Sequence, residues 1–253
     1  MSSFICKSNI FEVIFLMQNR IRSGIKDTWW KSYMVSGAKF SQNDIPYCPT
    51  TAKQIPCELI TYDEAKRIYR CQLKNGHKDF LHMACVCFYE DDHEFDNRNG
   101  IWFNSSKAYK ILSHFSGIIT PDFSTYQDFP IPLKQWNTYR MRAFGYWYGS
   151  ILGNEVINNV RWGTPETYDY CFDGIPKNSI VSIGTISGSP RKLQNRSRFD
   201  EGLSEMMKVL SPHTILVYGS ANFQCFKELE KKGVTIIAYQ SRTDKSFARR
   251  ATK

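Results

Sequence analysis

"TILVYGSANFQCFKELEKKGVTIIAY" (Thr214–Tyr239) holds two β-branched apolar runs on either side of an amphipathic segment. The runs at 214–219 and 234–239 have the composition of buried strands. The segment 222–233 between them has helical periodicity and ends at Gly233, a residue typical of the position after a helix. A strand, a helix and a second strand in direct succession predict a parallel βαβ unit.

The same alternation extends towards the amino terminus. Apolar runs at 115–120, 156–162 and 180–187 each end in polar or glycine-rich residues. An amphipathic stretch at 131–152 lies between the first two runs, and another at 199–210 lies between the third run and the strand predicted at 214–219. The pattern predicts an α/β fold with a parallel-dominated sheet of about five strands, built from repeated β-α units and either open or curved into part of a barrel.

The sequence before this pattern is less regular. Residues 47–60 form a proline-rich segment predicted to be a loop, 61–73 begin with the capping residue Thr61 and are predicted to be a helix, and 80–90 are predicted to be a buried strand. We therefore expect 17–114 to be an irregular α+β extension of the β-α units.

These segments predict one α/β domain over residues 17–242, in which 115–242 supply the β-α units, followed by a basic tail at 243–253. Met17 begins a stretch more typical of a folded protein than the residues before it. Residues 1–16 are accordingly predicted to be non-native or mobile.

Composition and charge argue against a secreted or a membrane-spanning protein. The 253 residues include 33 Lys and Arg against 24 Asp and Glu, for a formal net charge of +9. Lys7 and Glu12 interrupt the apolar amino-terminal run, which argues against a secretory signal, and no run approaches a membrane span. The eight cysteines lack the spacing of a disulfide framework. We therefore expect a cytoplasmic protein with reduced thiols and no membrane partner.

The positive charge is concentrated at 188–198 and 241–253, a distribution that suits a polyanion but also a merely solvated loop and tail. The candidate nucleic-acid-binding residues are Arg191, Lys192, Arg196, Arg198, Arg249 and Arg250. Gly184 and Gly188 give this region a weak resemblance to a phosphate loop. It lacks the Walker spacing, and Pro190 removes an amide donor.

In parallel α/β folds, ligands collect beyond the carboxyl ends of the strands. Polar and aromatic side chains follow several predicted strands, and two more lie on the predicted helix at 131–152. The candidate ligand-binding residues are Ser124, Tyr126, Asn137, Arg140, Trp162, Ser187, Gly188 and Tyr218.

Three acids are candidate catalytic residues. Asp122 together with Asp173 or Glu166 could form a carboxylate pair for acid–base work or for a divalent ion. The alternative is structural, since Asp122 could cap the turn at 121–124 and Asp173 the turn at 171–174.

Two arginines of the predicted helix differ in their expected roles. Arg140 could clamp an anionic group with its planar fork, or it could form a structural ion pair with Asp122 or Asp128. Arg142 is predicted to lie on the surface.

Cys85 and Cys87, with His82 and His93 nearby, suggest a zinc site only superficially. Alternate residues of a strand point the same way, here into an apolar run, so these thiols are predicted to belong to the core. Cys171 has no adjacent histidine and is predicted to be structural. No metal is predicted, and the sequence names no cofactor.

Five strings of this sequence carry a resemblance to a known family. They are GIITPDFSTYQDFP, QWNTYRMRAFGYW, VINNVRWGTPETYDYCFDGIP, SIVSIGTISGSPRK and TILVYGSAN. The chain is similar, over roughly 100–240, to the bacterial and phage family of domain of unknown function 4417. The resemblance implies an intracellular protein carried by phages or mobile elements, and it implies no particular activity. The family's motif positions would be Pro121, Asp122, Phe123, Ser124, Tyr126, Asp128, Trp136, Asn137, Tyr139, Arg140, Trp162, Cys171, Phe172, Asp173 and Gly174.

Two functions remain open from the sequence. The first is binding of nucleic acid, or of a host protein associated with nucleic acid, through the basic loop and tail. The second is an enzyme that acts on a phosphorylated or nucleotide-like ligand at the strand ends, with Asp122 as base or metal ligand, Arg140 as anion clamp and Trp162 as a stacking wall.

Overall fold

The computed structural model describes residues 29–186 and 193–251, with the backbone alone at 193–194 and 247–251. Seven strands form one sheet in chain order, and every neighbouring pair is parallel. They are β1 (Leu59–Thr61), β2 (His82–Cys87), β3 (Phe115–Ile119), β4 (Val156–Asn159), β5 (Ile180–Gly184), β6 (Thr214–Tyr218) and β7 (Thr235–Tyr239).

α-Helices connect all successive strands except β4 and β5, which are joined through a 3-10 turn at Pro165–Thr167. They are α1 (Tyr62–Lys74), α2 (Ser105–Leu112), α3 (Ile131–Tyr146), α4 (Leu193–Leu210), α5 (Gln224–Lys231) and, after β7, α6 (Arg242–Ala251). α1 begins with a reciprocal capping box, in which Thr61 Oγ1 accepts from the Glu64 amide and the Glu64 carboxylate accepts from the Thr61 amide.

The sheet is curled into a half-barrel. Tyr89, just after β2, stacks on Tyr218 of β6 with ring centroids 5.3 Å apart, although three strands lie between β2 and β6. At the open side, the Tyr239 hydroxyl donates to the carbonyl of Pro56, just before β1, over 2.6 Å. A flat sheet would place these groups far apart, so the curvature creates an enclosed concave face.

Side-chain alternation divides the core between the two faces of the sheet. Helices α1 to α5 pack on the convex face, where two apolar clusters include Val86 of β2 and Val217 of β6. A third cluster fills the concave face and contains Cys85, Cys87 and Leu216. Cys85 and Cys87 are therefore packed in the core, as their alternation predicts, and burial raises the pKa of both thiols.

The predicted fold class, a parallel-dominated α/β sheet, is confirmed, whereas the predicted extent of the sheet is wrong. β1 and β2 extend the same sheet into the 17–114 segment that was expected to be an irregular extension. The predicted loop at 47–60 ends in β1, because Leu59 and Ile60 are buried on opposite faces of the sheet.

The two basic segments also differ from their predicted forms. α4 begins at Leu193, inside the predicted basic loop, and the predicted tail forms most of α6. Lys245 Nζ contacts Glu58 Oε1 at 2.7 Å, and Arg242 Nη1 contacts Asp63 Oδ2 at 3.1 Å, so α6 docks against the start of the sheet. The prediction for residues 1–16 lies outside the described residues, and the single domain at 17–242 stays a prediction.

Two further observations concern the chain as far as the structure describes it. Its seven described cysteines are all free thiols. None of the described helices has the length and apolar character that crossing a membrane requires.

Candidate functional site

A cavity of about 770 Å³ opens at the carboxyl ends of the strands, on the concave side of the curled sheet. Residues that end or follow β2, β3, β4, β5 and β6 line it, and so do residues at the amino-terminal ends of α4 and α6. This is the position at which parallel α/β folds collect ligands, and the volume is that of a small-molecule site.

The floor of the cavity contains an ordered polar network around Asp122. Asp122 Oδ2 accepts from Arg161 Nη1 at 2.6 Å, and Asp122 Oδ1 accepts from Asn159 Nδ2 at 2.8 Å. The Tyr89 hydroxyl donates to Asn159 Oδ1 at 2.9 Å and lies 2.8 Å from Ser182 Oγ. The Asp122 charge is therefore neutralised and both its oxygens are engaged, which makes Asp122 a poor free base.

A second carboxylate, Asp92, lies beside this network and forms no ion pair with any residue that the structure describes. Its Oδ1 accepts from the Ser124 hydroxyl at 2.9 Å, and its Oδ2 accepts from the Ser124 amide at 3.3 Å. Burial raises the pKa of Asp92, and the nearby charge of Asp122 adds to the rise, while the Ser124 hydrogen bond and Arg161 oppose it. Asp92 is thus easier to protonate than an ordinary aspartate.

Glu90 is a third acid in the cavity wall. Its two carboxylate oxygens lie 3.1 and 3.3 Å from the backbone amide of Asp63, in the first turn of α1. Burial raises the pKa of Glu90 to about 7, against hydrogen bonds from Thr61 and Asp63 that favour the charged form. A carboxyl group with this pKa exchanges protons near neutral pH, as a general acid or base must.

Aromatic side chains form the opposite wall. The Trp162 ring lies 5.3 Å from that of Phe199, and a Cβ built on Gly202 of α4 would meet Trp162 Nε1 at 2.2 Å. Glycine at position 202 therefore lets the indole lie directly on the helix backbone, which fixes the ring as a wall.

Three arginines line the cavity with different partners. Arg161 is paired with Asp122, Arg242 contacts Asp63, and the exposed Arg198 donates to the neutral Gln127 Oε1 at 2.7 Å. The amino-terminal ends of α1, α4 and α6 also reach the cavity through Thr61, Asn195 and Arg242. Helix amino termini and guanidinium groups both favour an anionic ligand group.

Comparison with known proteins places the chain among phage-associated proteins. The family model described as "Domain of unknown function (DUF4417)" matches residues 39–240. The chain belongs to the DUF4417 family. The Gene 1 protein of Mycobacterium phage D29 is 33% identical over 150 residues, which cover 58% of this chain and 53% of that protein. The Gene 1 protein of Mycobacterium phage L5 is 33% identical over 146 residues, covering 56% and 61%.

The chain therefore spans between half and two thirds of the length of these two curated relatives. No solved structure shows a significant match to this DUF4417 chain.

Several sequence-predicted residues lie together in the cavity of this DUF4417 protein. They are Asp122, Ser124, Tyr126, Trp162, Arg198 and Tyr218. Their convergence follows from strand polarity, because each lies at or beyond the carboxyl end of a strand or at the start of a helix that follows one.

The two partners predicted for Asp122 lie elsewhere. Asp173 Oδ2 accepts from Asn43 Nδ2 at 3.0 Å and is outside the cavity lining, and Glu166 is fully exposed. Hydrogen bonding to Thr164 lowers the pKa of Glu166, which opposes a role as a base. The carboxylate beside Asp122 is instead Asp92.

Asn137 and Arg140 are absent from the cavity lining as well. Arg140 forms a bidentate pair with Asp96 at 2.7 and 2.8 Å, and its Nη2 donates to Asn137 Oδ1 at 2.6 Å. Arg140 therefore forms a structural ion pair, which was one of the two roles predicted for it, but its partner is Asp96 and not Asp122 or Asp128.

The predicted surface position of Arg142 is wrong, because this side chain is fully buried. Its guanidinium donates to the carbonyls of Asp173, Asn159 and Cys171. This buried arginine thereby ties the end of β4 to the backbone of residues 171–173.

Some predicted residues fall outside what the structure describes. Ser187, Gly188, Arg191 and Lys192 lie between residues 186 and 193. The side chains of Arg249 and Arg250 are likewise outside the description, although their backbone belongs to α6. Arg196 is described and exposed on α4.

Sequence reasoning missed several cavity residues, among them Glu90, Asp92, Asn159 and Arg161. Two of them could have been found from alternation, because Asn159 and Arg161 share the strand face of Ile157, which points into the concave side. Glu90 and Asp92 follow the 80–90 strand directly and would have been found by treating that strand as part of the same sheet.

Within residues 29–186 and 193–251, no group of three or more His, Cys, Asp or Glu side chains is placed to hold a metal ion. The cavity carboxylates Glu90, Asp92 and Asp122 are instead held by the hydrogen bonds described above.

Proposed function

We propose that this protein is an enzyme that acts on a phosphorylated or nucleotide-like ligand in the cavity at the strand ends. The observation that carries the proposal is the coexistence, in one cavity of about 770 Å³, of acids with raised pKa, a fixed aromatic wall and arginines at the rim. Buried acids of this kind concentrate at functional sites.

Asp92 is the proposed acid–base residue. Its carboxylate faces the cavity beside the Ser124 hydroxyl, and none of the described cations forms an ion pair with it. Asp122 has a positioning role, since it anchors Arg161 and Asn159. Arg161 keeps N–H donors beyond those bonded to Asp122 and Thr125, and these can hydrogen-bond to a ligand.

The anionic part of the ligand is expected at the rim. Arg198 is exposed there and, within the described residues, its guanidinium hydrogen-bonds to the neutral amide of Gln127, so an incoming phosphate does not have to displace a described carboxylate from it. Arg242 and the amino terminus of α6 lie on the same cavity.

The proposal is tested first by native mass spectrometry of the freshly purified full chain, before and after a high-salt wash. We expect a discrete small mass that survives the wash. The second measurement incubates the wild-type protein and Asp92→Asn with a small-molecule extract and follows compound depletion. We expect wild-type protein to consume a phosphorylated compound and Asp92→Asn to lose at least about a hundredfold in rate.

The matched control is Glu166→Gln, which removes a carboxylate outside the cavity and should leave the rate unchanged. Equal depletion by wild-type and Asp92→Asn proteins would contradict the role of Asp92. Absence of any retained mass together with absence of depletion would contradict the enzyme proposal.

Nucleic-acid binding is the second candidate function, and it rests on a different observation. Arg196 and Arg198 are both exposed near the amino terminus of α4, next to the basic residues that precede it. Phosphate contacts of this kind make affinity fall steeply with salt. The charge-removing variant Arg196→Gln/Arg198→Gln should weaken binding of a single-stranded oligonucleotide and reduce its salt dependence, whereas Asp92→Asn should not. Salt-independent binding, or none, would rule this function out.

The proposed setting for either function is the host cytoplasm, where the free thiols of the described residues would stay reduced. A host protein associated with nucleic acid remains a proposed partner of the basic surface.

A further inference from the structure

The aromatic wall of the cavity is held in place by packing, although the Trp162 ring stays partly exposed. Trp162 is part-buried, it lines the cavity, and its pyrrole edge rests on the α4 backbone at Gly202. Phe199 packs against it at 51° between ring planes and is itself buried. The indole is thus held in place by packing before any ligand arrives, which lowers the entropic cost of binding against it.

The two sides of the cavity differ in chemistry. Trp162 packs against an apolar cluster that contains Val160 and Ile183, and Ile186 lines the same cavity. The part of the lining that follows β2 and β3 presents Asp92 and Ser124. A ligand that satisfies both sides needs a flat apolar ring at one end and hydroxyl groups that can donate to carboxylates at the other.

The rim adds a third requirement. Arg198 lies one helical turn before Gly202 on α4, so its guanidinium belongs to the same element as the support of the indole. An anionic group of the ligand can therefore reach Arg198 while a ring of the same ligand lies against Trp162.

We propose that the Trp162 side of the cavity is a nucleobase subsite, and that the ligand is a nucleoside phosphate and not a simple sugar phosphate. The base stacks on Trp162, the ribose hydroxyls face Asp92 and Ser124, and the phosphate lies at Arg198. This inference rests on the proposed function, since it specifies the ligand of the same cavity.

Size and chemistry distinguish this ligand from a sugar phosphate. A sugar phosphate fills the polar side and the rim but leaves the Trp162 face in contact with water. Stacking of a base on an aromatic side chain is worth about 1–3 kcal/mol, which is roughly five- to 150-fold in affinity. A cavity of about 770 Å³ is large enough for the base as well as the sugar phosphate.

The test compares two kinds of probe by isothermal titration calorimetry on the full chain. The probes are the four common ribonucleoside 5′-monophosphates and ribose 5-phosphate, which has the same sugar and phosphate without a base. We expect at least one nucleotide to bind about tenfold or more tightly than ribose 5-phosphate. Trp162→Leu should remove that margin and leave the affinity for ribose 5-phosphate within about twofold, whereas Trp162→Phe should keep most of it.

Two further variants test whether the phosphate binds at Arg198 and whether the affinity difference is specific to the indole in the cavity. Arg198→Gln should weaken nucleotides and ribose 5-phosphate by the same factor, because both carry the phosphate. Trp136→Leu, which removes an indole outside the cavity lining, should change neither affinity. Thermal unfolding of each variant identifies any that fail to fold, and the comparison of probes on the wild-type protein holds without them.

Each outcome decides the question. Equal affinity for ribose 5-phosphate and for every nucleotide would overturn the nucleobase subsite while the proposed function stands. Tighter nucleotide binding that Trp162→Leu does not reduce would overturn the assignment of the base to Trp162. If neither kind of probe binds, the nucleobase subsite is overturned, and the retained-mass and depletion measurements decide separately whether the proposed function stands.

Discussion

Two polar clusters in this protein both contain carboxylates, but they differ in whether those carboxylates are paired with a cation. The closed cluster contains Asp96, Asn137 and Arg140, and it satisfies its charges internally through a bidentate ion pair and an amide. The open cluster contains Glu90 and Asp92, whose carboxylates accept hydrogen bonds from backbone amides and a hydroxyl, and it faces the cavity.

The difference shows how pairing with a cation affects the protonation of a buried carboxylate. A carboxylate paired with a guanidinium is stabilised in its charged form and serves the structure. A carboxylate that is buried without such a partner is pushed towards its protonated form, which is the case for Glu90 and Asp92. The cluster with unmatched charge is therefore the one that can exchange protons with a ligand.

The largest effect is expected from breaking the closed cluster. Arg140→Ala leaves the mostly buried Asp96 carboxylate without its cation and removes a guanidinium stacked 3.9 Å from the Phe123 ring centroid. We expect a loss of about 3–5 kcal/mol in the free energy of unfolding, measured by urea denaturation.

The double variant Arg140→Ala/Asp96→Asn is the control, because it removes the stranded charge as well. It should be less destabilised than Arg140→Ala alone, so the two substitutions should show a coupling energy. A loss below about 1 kcal/mol for Arg140→Ala would show that this pair does not hold the structure.

A smaller effect is expected in the open cluster, where replacing a carboxylate should raise the free energy of unfolding relative to wild type as the pH increases. Burial raises the pKa of Glu90 to about 7, from 4.5. The folded state therefore binds this proton more tightly than the unfolded state does. The stability from Glu90 is fully present below pH 4.5 and is lost as the pH rises through about 7.

Glu90→Gln removes this titration while keeping an oxygen that can accept from the Asp63 amide. The free energy of unfolding of Glu90→Gln relative to wild type should rise by about 2 kcal/mol between pH 5 and pH 8. Denaturant titrations at several pH values measure it, with Glu166→Gln as the exposed control. A difference that stays constant with pH would show that Glu90 does not titrate in this window.

The parallel α/β fold could be predicted from the strand and helix patterns of the carboxyl-terminal half. The same patterns located one side of the cavity, since Asp122, Ser124 and Trp162 all follow apolar strands. β1 escaped prediction because three residues, Leu59–Thr61, are too few to show a period of two, and their pairing with β2 is a tertiary contact.

The partners of individual charges could not be read from the sequence. Arg140 finds Asp96, which lies 44 positions away along the chain, and Arg142 is buried although its neighbours suggested the surface. Such pairings depend on how α3 packs against the rest of the fold. The role of each carboxylate depends in turn on these pairings, so the sequence indicates Asp122 as a candidate base, whereas the structure pairs Asp122 with Arg161 and leaves Asp92 without an ion pair among the described residues.

The smallest effect concerns Asp122, which lines the cavity like the open cluster and is ion-paired like the closed one. Asp122→Asn removes the negative charge that Arg161 contacts at 2.6 Å, but an amide oxygen remains to accept one hydrogen bond. Both side chains keep some exposure, so water can partly replace the lost interaction, and we expect a loss of about 1–1.5 kcal/mol by urea denaturation. The rate of the depletion assay should fall less than in Asp92→Asn, because Asp122 holds Arg161 and Asn159 in position and transfers no proton itself. If Asp122→Asn instead abolished turnover at unchanged stability, Asp122 would be the catalytic base, and ion pairing would not distinguish structural from functional acids in this cavity.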